Sequence, residues 1–413
     1  MNRLMHDVSA SQRSLTRSEL HIGLCGPCSP RDFANDLDVD RDSLPAGLSG
    51  TPVNHLARSF LDLGFRVSLA TLDRRVAPDN PIHVDGARMS LSVGPYRAKH
   101  RARDQFGVER RAIRDAMRRL APTAISAHWS YEFALGAIES GIPTLVTVRD
   151  VPSEVFRFQP SPYRLVRWLM HRETMTRATS IAFNSEYTRR RVRHPRSLGA
   201  RVLPNSLPDS MWRLASREPP DRWNPIFISV NNGFGARKNV QALVRAFGRV
   251  RRTLPGARLR LIGSGFEPGG PAATWASRHA SNERVEYLGK LDYGVMLEAL
   301  QAADVLVHPS LEESFGYTLI EAASVGTPVI AGENSGAVPW VLGNGDQGVL
   351  VDVRSPEAIA TAMLSIVGDG ATWSALRERA FQRGRARFSA SGVAKQYVEA
   401  LQEVARALGD VPR

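Results

Sequence analysis

Cysteines, lysines and long apolar runs are all scarce in this chain of 413 residues. Two cysteines are too few for a disulfide-stapled scaffold. No apolar run approaches the roughly 18 residues that a membrane-spanning helix needs. The first 18 residues are polar and interrupted by charges, so we expect no secretory signal. These absences exclude the membrane-spanning, collagenous and disulfide-rich classes and predict a cytoplasmic globular protein.

The composition is that of a folded chain with more than one core. Hydrophobic residues make up 43% of it, charged residues 23% and aromatic residues 7%. Disordered chains carry fewer apolar residues for their charge. The length is too great for one compact domain and suits two of ordinary size.

Basic residues exceed acidic ones by 13, and only four of the 54 basic residues are lysines. The excess is concentrated in residues 97–119, with a net charge of +6, and in residues 163–201, with +8. Such a local excess indicates an anionic partner, which is nucleic acid, an acidic lipid or a phosphorylated substrate. The alternative is a set of solvated helical faces.

The two cysteines stand in Cys25-Gly26-Pro27-Cys28, which matches the thioredoxin redox motif letter for letter. A redox pair needs a helix N-terminus to lower the thiol pKa. Residues 29–42 are polar and acidic without apolar periodicity, so we expect no helix there and no redox role. Zinc would need two further ligands, and none lies nearby in the sequence.

Short apolar runs alternate with amphipathic stretches, which predicts doubly wound parallel sheets. The alternation stops near residue 206 in turn-rich sequence and restarts at residue 226. We therefore expect a first domain over 1–205, a linker over 206–224, a second domain over 225–385 and a helical segment over 386–413 that packs back on the first domain. The predicted strands are 21–25, 67–72, 124–128, 144–148, 180–183, 201–203, 226–230, 259–263, 285–288, 305–308, 328–331 and 349–352.

Two loops between a strand and a helix have the features of an anion site. Gly50 precedes Thr51-Pro52, where a cap residue and a favoured first-turn proline start a helix. Lys238, beside Arg237, lies in the loop after the strand 226–230, where a cation can meet a phosphate. An unliganded loop and a solvated lysine are the alternatives.

The strongest signal is the segment 304–330, in which a buried strand leads to a helix. Glu313 and Glu321 are eight residues apart, so on one helix both would face the same ligand. The amides of residues 315–318 would lie at its N-terminus, which suits a diphosphate. Carboxylates also accept hydrogen bonds from sugar hydroxyls.

With these motifs in order, the chain resembles glycosyltransferase family 4, the retaining GT-B enzymes that use nucleotide sugars. The resemblance covers most of residues 20–400. It depends on SGTP, AHW, TVRD, NSEYTRRRV, LPNS, RKN, LIGSG, YLGKL and above all EESFGYTLIEAASVGTPVIA. It implies an α/β fold with two Rossmann-like domains facing a cleft, a nucleoside-diphosphate sugar as substrate and no required metal or other cofactor.

The resemblance also implies roles for individual residues. Glu313 would hold the hydroxyls of the donor sugar and Glu321 the ribose, while Lys238 would bind the leaving diphosphate. His128 would face the transferred sugar, and Gly50 would approach the phosphates from the opposing domain. Donor contacts are further expected from Asn232, Arg237, Leu291, Phe315, Gly316 and Tyr317.

The chain departs from the family pattern at three places. Gly233 stands where the family usually has a diphosphate-binding arginine, and Asn231, Asn232 and Arg237 are the candidates to replace it. Arg149 replaces the usual histidine before Asp150. Residues 335–340 lack the glutamate of many members.

The function expected from this resemblance is transfer of a sugar to a glycan or a polyprenyl-diphosphate-linked acceptor in surface or exopolysaccharide biosynthesis. The expected location is the cytoplasm, with an anionic membrane surface as a further partner at its inner face. One alternative is another GT-B enzyme, a sugar-nucleotide epimerase or hydrolase. A nucleic-acid-binding protein is the alternative of another class; it predicts interleaved aromatic residues, which are sparse in residues 97–119, so we expect no nucleic-acid partner.

Overall fold

The computed structural model describes residues 16–17, 19–280 and 282–407. The polar stretch 1–18, which bears on the expected absence of a signal, lies almost wholly outside these residues.

The first half of the chain forms a sheet with the strand order β3-β4-β2-β1-β5-β6-β7-β8. All neighbouring strands are parallel except β3 and β4. The strands are β1 (His21–Cys25), β2 (Arg66–Asp73), β3 (Ile82–Asp85), β4 (Met89–Pro95), β5 (Ala124–His128), β6 (Thr144–Val148), β7 (Ser180–Phe183) and β8 (Arg201–Val202). The helices of this half are α1 (Ala34–Leu37), α2 (Thr51–Asp62), α3 (Gly107–Leu120), α4 (Glu132–Glu139), α5 (Pro152–Phe158), α6 (Pro162–Arg177) and α7 (Glu186–Arg191).

The second half forms an entirely parallel sheet with the order β11-β10-β9-β12-β13-β14. This is the 3-2-1-4-5-6 order of a dinucleotide-binding fold. Its strands are β9 (Ile226–Val230), β10 (Arg258–Ile262), β11 (Val285–Gly289), β12 (Val305–His308), β13 (Val329–Gly332) and β14 (Val349–Val351). The helices are α8 (Val240–Thr253), α9 (Pro271–His279), α10 (Tyr293–Ala302), α11 (Tyr317–Val325), α12 (Val338–Val341), α13 (Pro356–Gly368), α14 (Gly370–Phe388) and α15 (Ala390–Arg406).

Each sheet has a hydrophobic core on both faces, which explains why its strands are nearly continuous apolar runs. In β2, Leu69 packs into one core and Ala70 into the other. In β9, Phe227 and Ile228 divide in the same way. The twelve predicted strands correspond to observed ones within one or two residues at each end.

The hairpin of β3 and β4 is not among the predicted strands. Its turn contains Gly86, whose amide bonds to the carbonyl oxygen of Met89 at 2.7 Å. Serines alternate with apolar residues in β4, and every residue of this strand is buried. Because the serines are buried too, the strand lacks the continuous apolar run on which the other predictions were based.

Helix α15 lies at the end of the described chain but packs on the first sheet. Val393, Tyr397 and Leu401 belong to the same core as β1 and α2. The Tyr397 ring lies 6.5 Å from the ring of Phe60 on α2. The last helix therefore joins the second half of the chain to the first.

The expectation of no helix after the CGPC motif is wrong. A short 3-10 helix over Pro30–Phe33 and then α1 follow Cys28 directly. The thiols are nevertheless free and fully buried, and burial raises the pKa of Cys28 to about 12 and that of Cys25 further. A redox pair needs the opposite change in thiol pKa.

No helix in the described ranges is both long and apolar enough to cross a membrane by itself, and the pair α13 and α14 passes that test only when joined across a bend of 98°.

Candidate active site

A cavity of about 400 Å³ lies at the carboxyl edge of the second sheet, where the strand order reverses between β9 and β12. Ligands of open α/β sheets bind at this switch point. The loops after β9, β10 and β11 and the last residue of β12 converge on it. The lining residues are Val230, Asn231, Asn232, Lys238, Ile262, Gly263, Ser264, Lys290, Leu291, Met296, His308, Glu313, Gly316, Tyr317 and Thr318.

An ion pair forms the buried charged part of this cavity, and the exposed Lys290 also lines it. The Lys238 ammonium donates to Oε1 of Glu313 at 2.5 Å, and Nε2 of His308 lies 3.4 Å from the same oxygen. Burial alone would raise the pKa of Glu313, but the Lys238 ammonium, with smaller contributions from His308 and Arg237, holds it well below its usual range. Glu313 is therefore an anion that accepts hydrogen bonds at neutral pH.

The start of α11 forms the neighbouring wall. Gly316 caps this helix with φ of 82°, a left-handed conformation that favours glycine. A Cβ at this position would also lie 2.9 Å from the Leu319 side chain. The first amides of the helix belong to residues that line the cavity, so their partial positive charge lies beside it.

Glu313 and Glu321 do not share a helix, which corrects the expectation from their spacing. Glu313 lies in the loop before α11, where it pairs with Gly336 in an isolated bridge, and Glu321 lies inside the helix. Glu321 is buried, and burial raises its pKa to about 7, opposed by a hydrogen bond from Tyr293. It does not line the cavity.

Arg237 positions the loop and does not line the cavity. Its guanidinium donates to the carbonyl oxygen of Glu312 at 2.8 Å and lies 3.6 Å from Oε2 of Glu313. Burial raises the pKa of Glu312 to about 7; Arg237 opposes this rise, and the nearby carboxylates of Glu313, Glu154 and Asp150 add to it.

A polar contact joins the cavity to the first half of the chain. The hydroxyl of Tyr317, a lining residue, lies 2.7 Å from Nδ1 of His55 on α2 and 2.7 Å from the carbonyl oxygen of Ser206. Nearby, Oγ of Ser185 donates to the carbonyl oxygen of Ser314 at 2.7 Å. The two halves therefore meet along the rim of this site.

His128 does not face the cavity, contrary to expectation. It is fully buried, its Nδ1 accepts from Nε of Arg149 at 2.9 Å, and its Nε2 lies 3.1 Å from Oγ of Ser126. Arg149 is itself buried and also donates to Asn205 at the end of the first half. Burial lowers the pKa of His128 well below its usual range, and Arg149 adds to that effect.

Gly50 and Phe315 lie near the site for reasons of packing. A Cβ on Gly50 would lie 1.9 Å from the carbonyl oxygen of Pro27, so the CGPC loop itself requires glycine there. The Phe315 ring is buried against Phe388 at 5.6 Å and against Trp340. Neither residue lines the cavity.

The structure thus brings six of the predicted site residues to the cavity, together with Asn231, a candidate to replace the missing arginine, and adds others that were not predicted. Of these, His308 ends β12, is 2% exposed and has no hydrogen bond to either ring nitrogen in the described part of the chain. Its place at the carboxyl end of a buried strand was the available signal. The predicted residues that line the cavity are Asn232, Lys238, Leu291, Glu313, Gly316 and Tyr317.

Over residues 16–17, 19–280 and 282–407, no group of three or more His, Cys, Asp or Glu side chains is placed to hold a metal ion.

Two family models match this chain. The model described as Glycosyltransferase Family 4 matches residues 50–209, and the model described as Glycosyl transferases group 1 matches residues 213–387. Together they cover most of the sequence, one in each half.

Curated relatives match over part of their length. The chain is 30% identical over 220 residues to a glycogen synthase of Mycobacterium tuberculosis, covering 52% of this chain and 51% of the relative. It is 34% identical over 165 residues to a D-inositol 3-phosphate glycosyltransferase of Corynebacterium glutamicum, covering 38% and 39%. The chain thus spans about half the length of the first of these relatives and less of the second.

Solved structures match over nearly the whole chain. A sucrose-phosphate synthase from Thermosynechococcus elongatus superposes with a TM-score of 0.73 at 18% identity, covering 94% of this chain and 100% of that one. HepE of Anabaena, determined with UDP and glucose, gives 0.65 at 15% identity, covering 92% and 99%. These likenesses concern the fold and confirm the predicted GT-B architecture of two Rossmann-like domains.

Proposed function

The chain belongs to glycosyltransferase family 4, and from this premise we propose that it moves a sugar from a nucleoside-diphosphate sugar to a hydroxyl of an acceptor, with retention at the anomeric carbon. The proposal depends mainly on one observation, the cavity at the switch point of the second sheet with its Lys238–Glu313 ion pair.

The charges of the cavity suit a diphosphate leaving group. When the bond between the anomeric carbon and the diphosphate breaks, negative charge grows on the phosphate oxygen. The Lys238 ammonium and the amides at the start of α11 are placed to stabilise that charge. Because these groups supply the compensation, we expect the transfer to continue in EDTA.

The sugar and the nucleotide would divide the cavity between them. Glu313 is an ionised acceptor for sugar hydroxyls, and Nδ1 of His308 beside it has no hydrogen-bond partner among the described residues. Glu321 remains the candidate for the ribose, although it does not line the cavity.

For the acceptor we propose a glycan or a polyprenyl-diphosphate-linked sugar in surface-polysaccharide assembly, with the enzyme at the inner face of a membrane. The basic excess of the first half supports an anionic acceptor, because the second half contains the proposed donor site without needing that charge.

Nucleotide sugars tested by thermal shift would identify the donor, since a ligand at 100 times its Kd adds about 2.7 kcal/mol to the free energy of unfolding. NMR of the product then reports the anomeric configuration. Turnover of the nucleotide sugar without any acceptor would contradict transfer and favour an epimerase or a hydrolase.

A further inference from the structure

A second cavity, of about 650 Å³, lies in the first half of the chain between α5, α6 and α7. Its apolar wall contains Trp168, Met175 and Val192, and its basic wall contains Arg172, Arg193 and His194. We call it the basic cavity. It shares no lining residue with the cavity at the switch point.

Two cations of the basic cavity have no acidic partner among the described residues. Most neighbouring arginines are ion-paired: Arg191 bonds to Glu154, and Arg177 lies 2.6 Å from Glu173. Arg172 and Arg193 are exposed and appear in no ion pair. Since the neighbouring acids are already neutralised, these two guanidiniums remain available to an anion.

An apolar strip leads into the basic cavity along α6. Leu165, Leu169 and Arg172 are spaced four and three residues apart, so they share one face of the helix. Leu165 is 42% exposed and Leu169 is 47% exposed, which is unusual for leucine. Trp168 beside them lines the cavity.

A third exposed leucine flanks the other side. A hollow of about 490 Å³ shares Arg193 and His194 with the basic cavity and is bordered by Leu198, which is 82% exposed. Exposed leucines therefore lie on both sides of the charged wall. This pattern fits a ligand with an anionic head and a hydrocarbon chain, whereas a sugar phosphate would leave the leucines without a partner.

The basic cavity is close to the proposed donor site. Arg191 and Val192, at the end of α7, line the basic cavity, and Ser185, which caps the start of α7, donates from Oγ to the carbonyl oxygen of Ser314 at 2.7 Å. Ser314 is adjacent to Glu313, which accepts from Lys238. A head group bound in the basic cavity would thus place an attached sugar on the side of the cleft where transfer is proposed.

We propose that the basic cavity and the strip of Leu165, Trp168 and Leu169 bind the long-chain phosphate of a lipid-linked acceptor. The phosphate is held by Arg172, Arg193 and His194, and the chain lies along the strip. This inference extends the proposed function, because it assumes that the donor is bound elsewhere, in the cavity at the switch point.

The test is calorimetric titration of the whole protein with geranyl phosphate, geraniol and inorganic phosphate, with UDP titrated in parallel. We expect geranyl phosphate to bind at least tenfold more tightly than either fragment. Equal binding of inorganic phosphate would overturn the lipid assignment and leave an anion site.

Variants with matched controls locate the site. Arg172→Gln and Arg193→Gln should each weaken the binding of geranyl phosphate roughly tenfold, because each removes a charge-assisted hydrogen bond to the phosphate. Arg196→Gln should change the affinity for geranyl phosphate less than about twofold, because this arginine carries the same charge, is exposed and lies outside the cavity. Equal effects of Arg193→Gln and Arg196→Gln would contradict a defined site.

The strip is tested in the same way. Leu169→Ser should weaken the binding of geranyl phosphate several-fold and leave the binding of inorganic phosphate unchanged. The control is Val295→Ser, at a similarly exposed position of α10, which should change neither affinity. No effect of Leu169→Ser would contradict the strip. UDP binding should be normal in all these variants, so a failure of this inference is distinguishable from a failure of the donor site.

Discussion

At the scale of single residues, the buried charge of the proposed donor cavity is carried by Lys238 and Glu313. Both side chains are mostly buried, and each is the closest opposite charge of the other. Neither belongs to a hydrophobic core, so their substitution should leave the fold largely intact.

We predict that Lys238→Ala lowers kcat by roughly 100-fold or more, the size of effect seen when one donor to a developing anion is removed. Glu313→Gln should also lower kcat strongly, because Lys238 loses its charged partner and the sugar loses an ionised acceptor. Steady-state kinetics and circular dichroism together measure this. The control is Lys99→Ala, which removes an exposed lysine far from the cavity in sequence. Near-normal turnover in a folded Lys238→Ala or Glu313→Gln variant would remove that residue from the mechanism.

Glu321 predicts a specific dependence of stability on pH. Burial raises its pKa to about 7 in the folded protein, from 4.5 in the unfolded chain. Between these values the folded state binds more protons, so the free energy of unfolding falls as pH rises, by about 3 kcal/mol in total for this group. Glu312 contributes with the same sign.

Urea unfolding of Glu321→Gln between pH 4.5 and pH 7.5 should therefore show a shallower fall than that of the unaltered protein. Glu399→Gln, at an exposed position of α15, serves as the control and should leave the slope unchanged. An unaltered slope in Glu321→Gln would mean that this carboxyl ionises normally.

The two cysteines act in packing according to the structure. We predict that Cys25→Ser with Cys28→Ser retains kcat within a few-fold, but loses about 1 to 3 kcal/mol of stability per site because a hydroxyl replaces a buried thiol. Assays with and without dithiothreitol provide the check. Activity of the unaltered enzyme that follows its reduction state would restore a redox role.

At the scale of elements, the last helix of the described chain, α15, packs on strands and a helix that are far from it in the sequence. Helix α15 packs against α2, β5 and β6 of the first sheet, although it follows the second. Its buried positions 393, 397, 401 and 404 recur at helical spacing, as one amphipathic face requires.

Leu401→Ala should lower the free energy of unfolding by about 2 to 5 kcal/mol, since it leaves a cavity in the core shared with β1 and α2. Thermal or urea unfolding measures the loss. Lys395→Ala on the exposed face of the same helix should have little effect. A loss as small as that of Lys395→Ala would show that α15 is not docked in solution.

At the scale of the whole molecule, the two basic segments form one surface. Arg101 from the first lies 5.3 Å from the Tyr163 ring of the second, and Arg167 lies 5.8 Å from the Phe106 ring. Many of the arginines are ion-paired, such as Arg97 with Glu109 and Arg110 with Glu139. The charge available to a partner is thus smaller than the sequence count of +14 for the two segments.

We predict binding to vesicles that contain anionic lipid, lost at high salt. Each engaged arginine or lysine contributes about 1 kcal/mol near an anionic leaflet, and the Debye length of about 8 Å at physiological salt screens this attraction. Co-sedimentation with phosphatidylserine vesicles at low and high salt measures it, with neutral vesicles as the control.

Two variants with the same change in charge test whether vesicle binding depends on the basic segments or only on the net charge of the protein. Arg103→Glu lies in the basic segments and should weaken vesicle binding, while Arg252→Glu lies on α8 in the second half and should not. Binding that ignores lipid charge and salt would leave the arginines as a solvated face. Tight, salt-dependent binding of DNA in a separate titration would support the nucleic-acid alternative.

The sequence by itself determined the two doubly wound sheets and pointed to the loops that line the cavity at the switch point. Buried parallel strands are continuous apolar runs that can be found in the sequence. Lys238 and Glu313 lie in the loops that follow such strands, so the position of these loops at the carboxyl edge of the sheet does not depend on how the surrounding side chains pack. The hairpin of β3 and β4 was not predicted, because the buried serines of β4 alternate with apolar residues and so break the continuous apolar run.

Only the tertiary structure decided which side chains face which partner. Glu321 and His128 both belong to motifs that match the family, yet neither lines the cavity: Glu321 is buried with Tyr293 as its hydrogen-bond partner, and His128 is buried and bonded to Arg149. The need for glycine at position 50 comes from the carbonyl oxygen of Pro27, a neighbour 23 residues earlier in the chain. Periodicity describes one element at a time, whereas burial and ion pairing are set by elements distant in sequence.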